Sequence, residues 1–317
     1  MRAMLCVLAA SPLAFALSGG FGAPSTKRKA SVRPKKAPEA AAPTVPAVDK
    51  WGVAAVDEDA PRDLGGHARA VPRGEGPVAL ADALADDATL LAPYLDLDRD
   101  HAGLEVLQYD PLVLRVSSFL TAAECDGIVS VAGTARSREM PRAAGTFDGT
   151  ESDRRTSTTF YVRYAEPEVQ PLVKRAAALL GVAAQRFEEV QVARYRGGER
   201  FKWHEDAVPP PLLAKDGSDG GQRVATLLVY LSGAGNAADG GATVFRDLGD
   251  PPPLRAVPRK GDALLFFPAR KDAQGAWRPD DRTVHAGDAA VREKWVVQLW
   301  AHEKVYPPTM LQDNLER

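Results

Sequence analysis

After Gly181 the spacing of the apolar residues changes, and this change limits the fold more than any other feature. Upstream, LTAAECDGIVSVA and VQPLVKRAAALLGV repeat apolar residues at helical intervals. Thr121 and Glu124 have the spacing of a capping box that starts the first helix, and Gly181 stops the second. Downstream, EEVQVARY, QRVATLLVYLS, DALLFFPA, DRTVHAG and KWVVQLWAHE read as strands separated by Gly, Pro and Asp clusters. Two helices followed by a run of short strands argue for a mainly β protein with flanking helices (α+β), built on a sandwich or jelly-roll core. With PLVLRVSSF as a first strand, ordered structure is expected to begin near Pro111.

The chain before that point reads differently. Arg2 precedes the apolar run MLCVLAASPLAFAL and the small residues SGGFGAP, the order of a secretory signal and too short for a comfortable membrane span. The basic, acid-poor tract STKRKASVRPKKAPEAAAPTVPA follows, so residues 1–50 are read as a targeting segment and flexible linker. That order suits entry to the secretory pathway (endoplasmic reticulum) or delivery to a plastid through a two-part leader, leaving no stable membrane span once removed. Residues 51–106 are Gly-, Asp- and Ala-rich and are taken as an irregular extension with one helical stretch, VALADALADDATLLAPYL. The acids of DLDRDHAGLEVL do not make a calcium loop, since His101 stands where that loop needs Gly and Leu107 where it needs Glu. A formal net charge of -2 shows no global basic field for nucleic acid. Of the two cysteines, Cys6 lies in the leader and leaves Cys125 alone, so the fold must rest on its core.

The chain has only five histidines, and one begins the pair His204-x-Asp206 in FKWHEDAVPP. Side chains at i and i+2 of a strand share a face, so both can reach one metal ion while Glu205 points away. A third ligand must come from His285 or His302, because His67 and His101 fall in the extension. Two imidazoles and a carboxylate suit non-haem Fe(II), and the same set could hold catalytic zinc. Lys294, nine residues after His285, is the cation that a chelating diacid would need at its far carboxylate. Alternation places Trp300 on the same face as Lys294, where it is expected to wall that carboxylate.

From Leu107 to His302 the sequence resembles the prolyl 4-hydroxylase family of Fe(II)/2-oxoglutarate dioxygenases. The likeness is carried by ECDGIV, RRTSTTFYV, YRGGERFKWHED, GGQRVATLLVYLS, GGATVF, PRKGDALLFF, HAG and KWVVQLW, in that order. The resemblance implies a double-stranded β-helix core in a dioxygenase domain spanning 107–305, with 306–317 as a tail. It implies His204, Asp206 and His285 as iron ligands and Lys294 as the partner of the 2-oxoglutarate C5 carboxylate. Tyr195, Thr243 and Trp300 become further cosubstrate contacts, and Arg223 a peptide-binding residue. Phe201 stands where the family has a second tyrosine, and Asp288-Ala289 where it has Cys-Pro. The interval to the lysine is one residue shorter, and GGAT replaces GGET. These departures touch no iron ligand and bear on the substrate.

The implied activity is hydroxylation of peptidyl proline using O2, with Fe(II) and 2-oxoglutarate, release of succinate and CO2, and ascorbate to rescue oxidised iron. Gly145–Arg155, GTFDGTESDRR, is a candidate lid over the peptide. Two alternatives stand beside this reading. One is a 2-oxoglutarate oxygenase acting on another residue or a small molecule; the other is a metal-binding jelly-roll module without turnover. A nucleic-acid demethylase would carry arginine at Lys294.

Overall fold

The structure is a computed structural model that describes residues 54–55, 68–72, 76–140, 155–210, 213, 220–249 and 253–306. The expected leader, residues 61–67, most of the expected lid (145–154) and the C-terminal tail from 307 onward lie outside the described residues. Two antiparallel sheets face one another. The larger contains β1 (Leu104–Asp110), β2 (Val113–Val116), β3 (Ser137–Met140), β4 (Thr158–Val162), β5 (Val190–Tyr195), β7 (Arg223–Tyr230), β10 (Ala263–Phe266) and β12 (Lys294–His302). Their spatial order is β1-β2-β10-β7-β12-β5-β4-β3. The smaller contains β6 (Phe201–Glu205), β8 (Thr243–Phe245), β9 (Arg255–Ala256) and β11 (His285–Gly287), ordered β6-β11-β8-β9. From β5 onward the chain crosses between sheets, β5 large, β6 small, β7 large, β8 and β9 small, β10 large, β11 small, β12 large. That winding is a double-stranded β-helix, as expected.

The two faces of the large sheet have different cores. Its inner face, with the small sheet, encloses Val113, Ala193, Tyr195, Phe201, Leu228, Tyr230, Phe245, Phe266 and Val296. Its outer face packs Val192, Leu227, Leu265, Val297 and Leu299 against the helices. Helix α2 (Ala122–Val131) starts at the expected capping box: Glu124 N–H donates to Thr121 Oγ1 at 3.2 Å, and Thr121 N–H to Glu124 Oε2 at 2.8 Å. Such a cap is worth about 1 kcal/mol. Helix α3 (Gln170–Leu180) ends at Gly181 with φ 60°, where an added Cβ would lie 2.8 Å from the Asp96 carbonyl. Only glycine meets both demands. Arg175 of α3 pairs with Glu124 of α2 at 2.8 Å and ties the two helices together.

The segment 51–106 departs from its expectation. Its end is already strand, so the boundary at 107 falls inside β1, and short strands at Arg69–Ala70 and Val78–Ala79 both pair with β1. Leu80, Ala83, Leu90, Leu91 and Leu97 are buried in the outer core, and Tyr94 stacks on Phe267 with ring centroids 4.5 Å apart. The expected 18-residue helical stretch is α-helical only over α1 (Leu80–Asp86). Asp87 Oδ1 accepts from the backbone N–H and the hydroxyl of Thr89, a local turn that competes with the helix. These leucines join the outer core rather than an irregular surface.

Two β-bulges flank the space between the sheets. In the small sheet, His285 pairs with His204 and Gly287 with Phe201, so three residues of β11 face four of β6. In the large sheet, Arg223 pairs with His302 and Ala225 with Ala301, so three residues of β7 face two of β12. A bulge re-aims the side chains beside it. The first lets Phe201 and His204 point inward together, and the second does so for Arg223 and Thr226.

Candidate metal centre

The smaller sheet brings two distant stretches of sequence side by side. His204 on β6 and His285 on β11 are direct cross-strand partners with ring centroids 4.1 Å apart. Asp206 follows β6 by one residue, with Oδ1 3.9 Å from His204 Nε2 and Oδ2 3.9 Å from His285 Nε2. All three are buried, and their ligand atoms lie within 4.8 Å of one another. They are the one such cluster of three among the described residues. His302, the other candidate, is elsewhere: its Nε2 lies 2.6 Å from Glu188 Oε1.

The hydrogen bonds set both rings for a metal. His204 Nδ1 is 2.7 Å from the Lys202 carbonyl, and His285 Nδ1 is 3.1 Å from the Thr283 carbonyl. A carbonyl only accepts, so each Nδ1 carries the hydrogen and each neutral ring presents the Nε2 lone pair. Burial pushes the His285 pKa down, against the opposing pull of Asp206, which keeps that imidazole neutral. Phe201 stacks on His204 at 3.6 Å and fixes its ring plane. Asp206 Oδ2 accepts from Thr226 Oγ1 at 2.8 Å, while Oδ1 receives no hydrogen bond from the described residues. Two lone pairs and a carboxylate oxygen converging in a dry pocket fit a divalent cation.

On β12 Lys294 pairs directly with Tyr195 of β5, and its ammonium lies 4.8 Å from that ring. Lys294 is 6 % exposed and makes no ion pair among the described residues; Nζ donates to the Gly241 carbonyl at 2.6 Å. Burial pushes its pKa down to about 8, only partly offset by Asp288. Gly241 has φ 68°, and a Cβ there would lie 2.8 Å from the lysine stem, so glycine in GGAT keeps the Lys294 slot open. Thr243, two residues after Gly241, is buried with its hydroxyl 2.9 Å from that of Tyr230, which also reaches the Ala256 carbonyl at 3.2 Å. Tyr230 was missed from the sequence, where YLS reads as plain strand core. A buried cation with no counter-ion among the described residues, lined by hydroxyls, fits an anionic ligand.

Two expectations need correction. Trp300 shares a face with Lys294, but it lies six residues along β12, roughly 20 Å at strand rise. It pairs with Thr226 and receives the Arg223 guanidinium at 4.2 Å, so it walls the Asp206 end rather than the lysine end. Its indole Nε1 is buried and has no hydrogen-bond partner among the described residues. Arg223 is not presented to a peptide in this structure. It is 4 % exposed, its Nε and Nη2 bind Glu188 at 2.5 and 2.9 Å, and its Nη1 donates to the Asp206 carbonyl at 3.3 Å. The β7 bulge and the partner Glu188 turn it inward, and neither could be read from local sequence.

A family model described as the 2OG-Fe(II) oxygenase superfamily matches residues 190–302. Prolyl 4-hydroxylase 1 of Arabidopsis thaliana is 31% identical over 213 residues, covering 63% of this chain and 72% of that protein. Probable prolyl 4-hydroxylase 4 of the same plant is 31% identical over 243 residues, covering 71% and 78%. The chain belongs to the prolyl 4-hydroxylase family. It is a 2-oxoglutarate- and Fe(II)-dependent dioxygenase. Among solved structures, a viral collagen prolyl hydroxylase from Paramecium Bursaria Chlorella virus-1 aligns with TM-score 0.44 and 24% identity, covering 59% of this chain and 94% of that one. In this prolyl 4-hydroxylase family member, no helix among the described residues is long and apolar enough to cross a membrane.

Proposed function

We propose that this enzyme hydroxylates proline in a peptide or protein chain, using O2 and releasing succinate and CO2. The observation that carries the reading is the pairing of His204 with His285 beside Asp206, with the uncompensated cation of Lys294 in the same inner chamber. His204, Asp206 and His285 would hold Fe(II), and Lys294 the far carboxylate of 2-oxoglutarate, with Tyr195 and Thr243 beside it. When bound, ferrous iron with 2-oxoglutarate would activate O2, the oxidant that an unactivated C–H bond requires. The protein does the rest. The two backbone carbonyls hold the imidazoles in one tautomer, Phe201 fixes the His204 ring, and the phenylalanines of the inner core exclude water. The lysine charge becomes favourable once a carboxylate enters, so the diacid is bound where water cannot compete.

Trp300 and Phe201 form the apolar surroundings of the triad, suited to a pyrrolidine ring. Ascorbate is proposed as the reductant that restores oxidised iron. Residues 1–50 are proposed to direct the chain to the secretory pathway or a plastid, and 145–155 to close over the peptide. The test is succinate release from 2-oxoglutarate with Fe(II) and proline-rich peptides, alongside a mass gain of one oxygen atom per modified proline. Wild type is expected to turn over and His204→Ala to lose activity by at least about a hundredfold, the scale of losing one metal ligand or its support. Turnover that survives the substitution refutes the site. Succinate release without oxygen transfer to any proline peptide would move the reading to another substrate.

A further inference from the structure

Asp206 is the one triad member outside a strand, since β6 ends at Glu205. Ladder hydrogen bonds therefore do not fix its backbone, and its carboxylate must be held by neighbours. Both neighbours come from β7. Thr226 Oγ1 donates to Asp206 Oδ2 at 2.8 Å, and Arg223 Nη1 donates to the Asp206 carbonyl at 3.3 Å. Three residues apart, they would normally face opposite sides of a strand. The bulge between Arg223 and Ala225 places both inside, while Val224 and Ala225 lie in the outer core.

We infer that Thr226 is a positioning residue for Asp206, holding one carboxylate oxygen so that the other is presented to the metal. Thr226 is 1 % exposed, and its hydroxyl hydrogen is committed to Oδ2. An acceptor that can rotate offers two oxygens to a cation in turn; one tethered at Oδ2, which lies 3.9 Å from His285 Nε2, leaves Oδ1 in a fixed direction 3.9 Å from His204 Nε2. Arg223 fixes the same residue through its backbone, itself held by Glu188 and stacked on Trp300. The side-chain tether is therefore separable from the backbone one. Supports of this kind around a ligand set typically change metal affinity tenfold to a hundredfold.

This inference rests on the reading of His204, Asp206 and His285 as the metal site. The test is anaerobic calorimetric titration with ferrous iron alone of wild type, Thr226→Val and Thr226→Ser. Valine keeps the shape and removes the hydroxyl; serine restores the hydroxyl without the methyl. Thr226→Val is expected to bind iron about tenfold to a hundredfold more weakly, with Thr226→Ser within about threefold of wild type. At saturating iron, KM for 2-oxoglutarate is expected to stay unchanged, because the Lys294 end is untouched. Iron binding by the valine variant equal to wild type overturns the inference. So does a serine variant as weak as valine with an intact near-ultraviolet circular dichroism spectrum, because the effect would then be packing. If wild type itself binds no iron, the metal-site reading fails instead, and the two failures are told apart.

Discussion

Lys294 and Arg223 are two cations buried in the same barrel, one beside each end of β12, and the chain gives them opposite surroundings. Arg223 is clamped by Glu188 at two points, with His302 on the same carboxylate. Lys294 has one carbonyl and two aromatic rings and no ion pair among the described residues. The pKa values carry the contrast. Burial alone would raise the Glu188 carboxyl, but Arg223 and His302 outweigh it and bring it down to about 2. Burial brings Lys294 from 10.5 down to about 8. Each is a displacement worth about 3 kcal/mol, with opposite meaning for the fold. The Glu188 contribution stabilises the protein above pH 4.5 and is lost as pH falls toward 2. The Lys294 charge destabilises the empty protein below pH 8, and stability recovers as pH rises from 8 to 10.5, where the unfolded chain still binds the proton and the folded one does not. A counter-ion supplied by the chain makes structure; one left for a ligand makes a binding site.

The largest effect is expected at the uncompensated cation. Lys294→Met removes the charge and keeps the length, and should weaken 2-oxoglutarate binding by at least about a hundredfold, the scale of breaking a buried ion pair. The same substitution should stabilise the ligand-free protein by up to about 3 kcal/mol at pH 7 in urea unfolding. Loss of both affinity and stability would mean that Lys294 is part of the packing and that the contrast with Arg223 is false. At the other cation the sign reverses. Glu188→Ala strands a buried guanidinium and should destabilise the fold by about 3 kcal/mol at pH 7. The gap from wild type should narrow as pH falls from 4.5 toward 2, because protonation removes the carboxylate that the variant lacks. A gap independent of pH would show that Glu188 acts by shape.

The sequence showed one of these surroundings and hid the other. His204, Asp206, His285 and Lys294 were legible because strand alternation is local: i and i+2 share a face, and HAG is followed by a strand that starts at the lysine. The partners of Arg223 were not, because Glu188 and His302 meet it only through sheet pairing across 35 and 79 residues, read from the numbering. The bulges at β6 and β7 were hidden for a related reason. One extra residue reverses every face assignment beyond it, and nothing in FKWHE or RVAT announces it. That is why Phe201, odd by parity, stacks on His204, and why Arg223 points inward. Trp300 was assigned the right face and the wrong depth, since alternation gives no position along the barrel. The leucines of 80–97 were visible as apolar, but the outer core that they join was not.

The smallest predicted effect tests the hydroxyls around Lys294, through the residue that the sequence left unmarked. The Tyr230 hydroxyl lies 2.9 Å from Thr243 Oγ1 and 3.2 Å from the Ala256 carbonyl, with its ring 5.9 Å from the Lys294 ammonium. A carbonyl only accepts, so the single Tyr230 hydrogen is shared between Ala256 and Thr243, and the contact fixes the Thr243 hydroxyl in place. Tyr230→Phe removes that constraint and should weaken 2-oxoglutarate binding about fivefold, close to 1 kcal/mol for one hydrogen bond. Thr243→Val should weaken it by a similar factor. If the two hydroxyls act as one unit, the double variant should be no weaker than Thr243→Val alone, since the tyrosine would then have nothing to orient. Additive losses in calorimetric titration would instead assign each hydroxyl its own contact with the ligand, and the Lys294 end would be built from independent donors rather than from a chain of them.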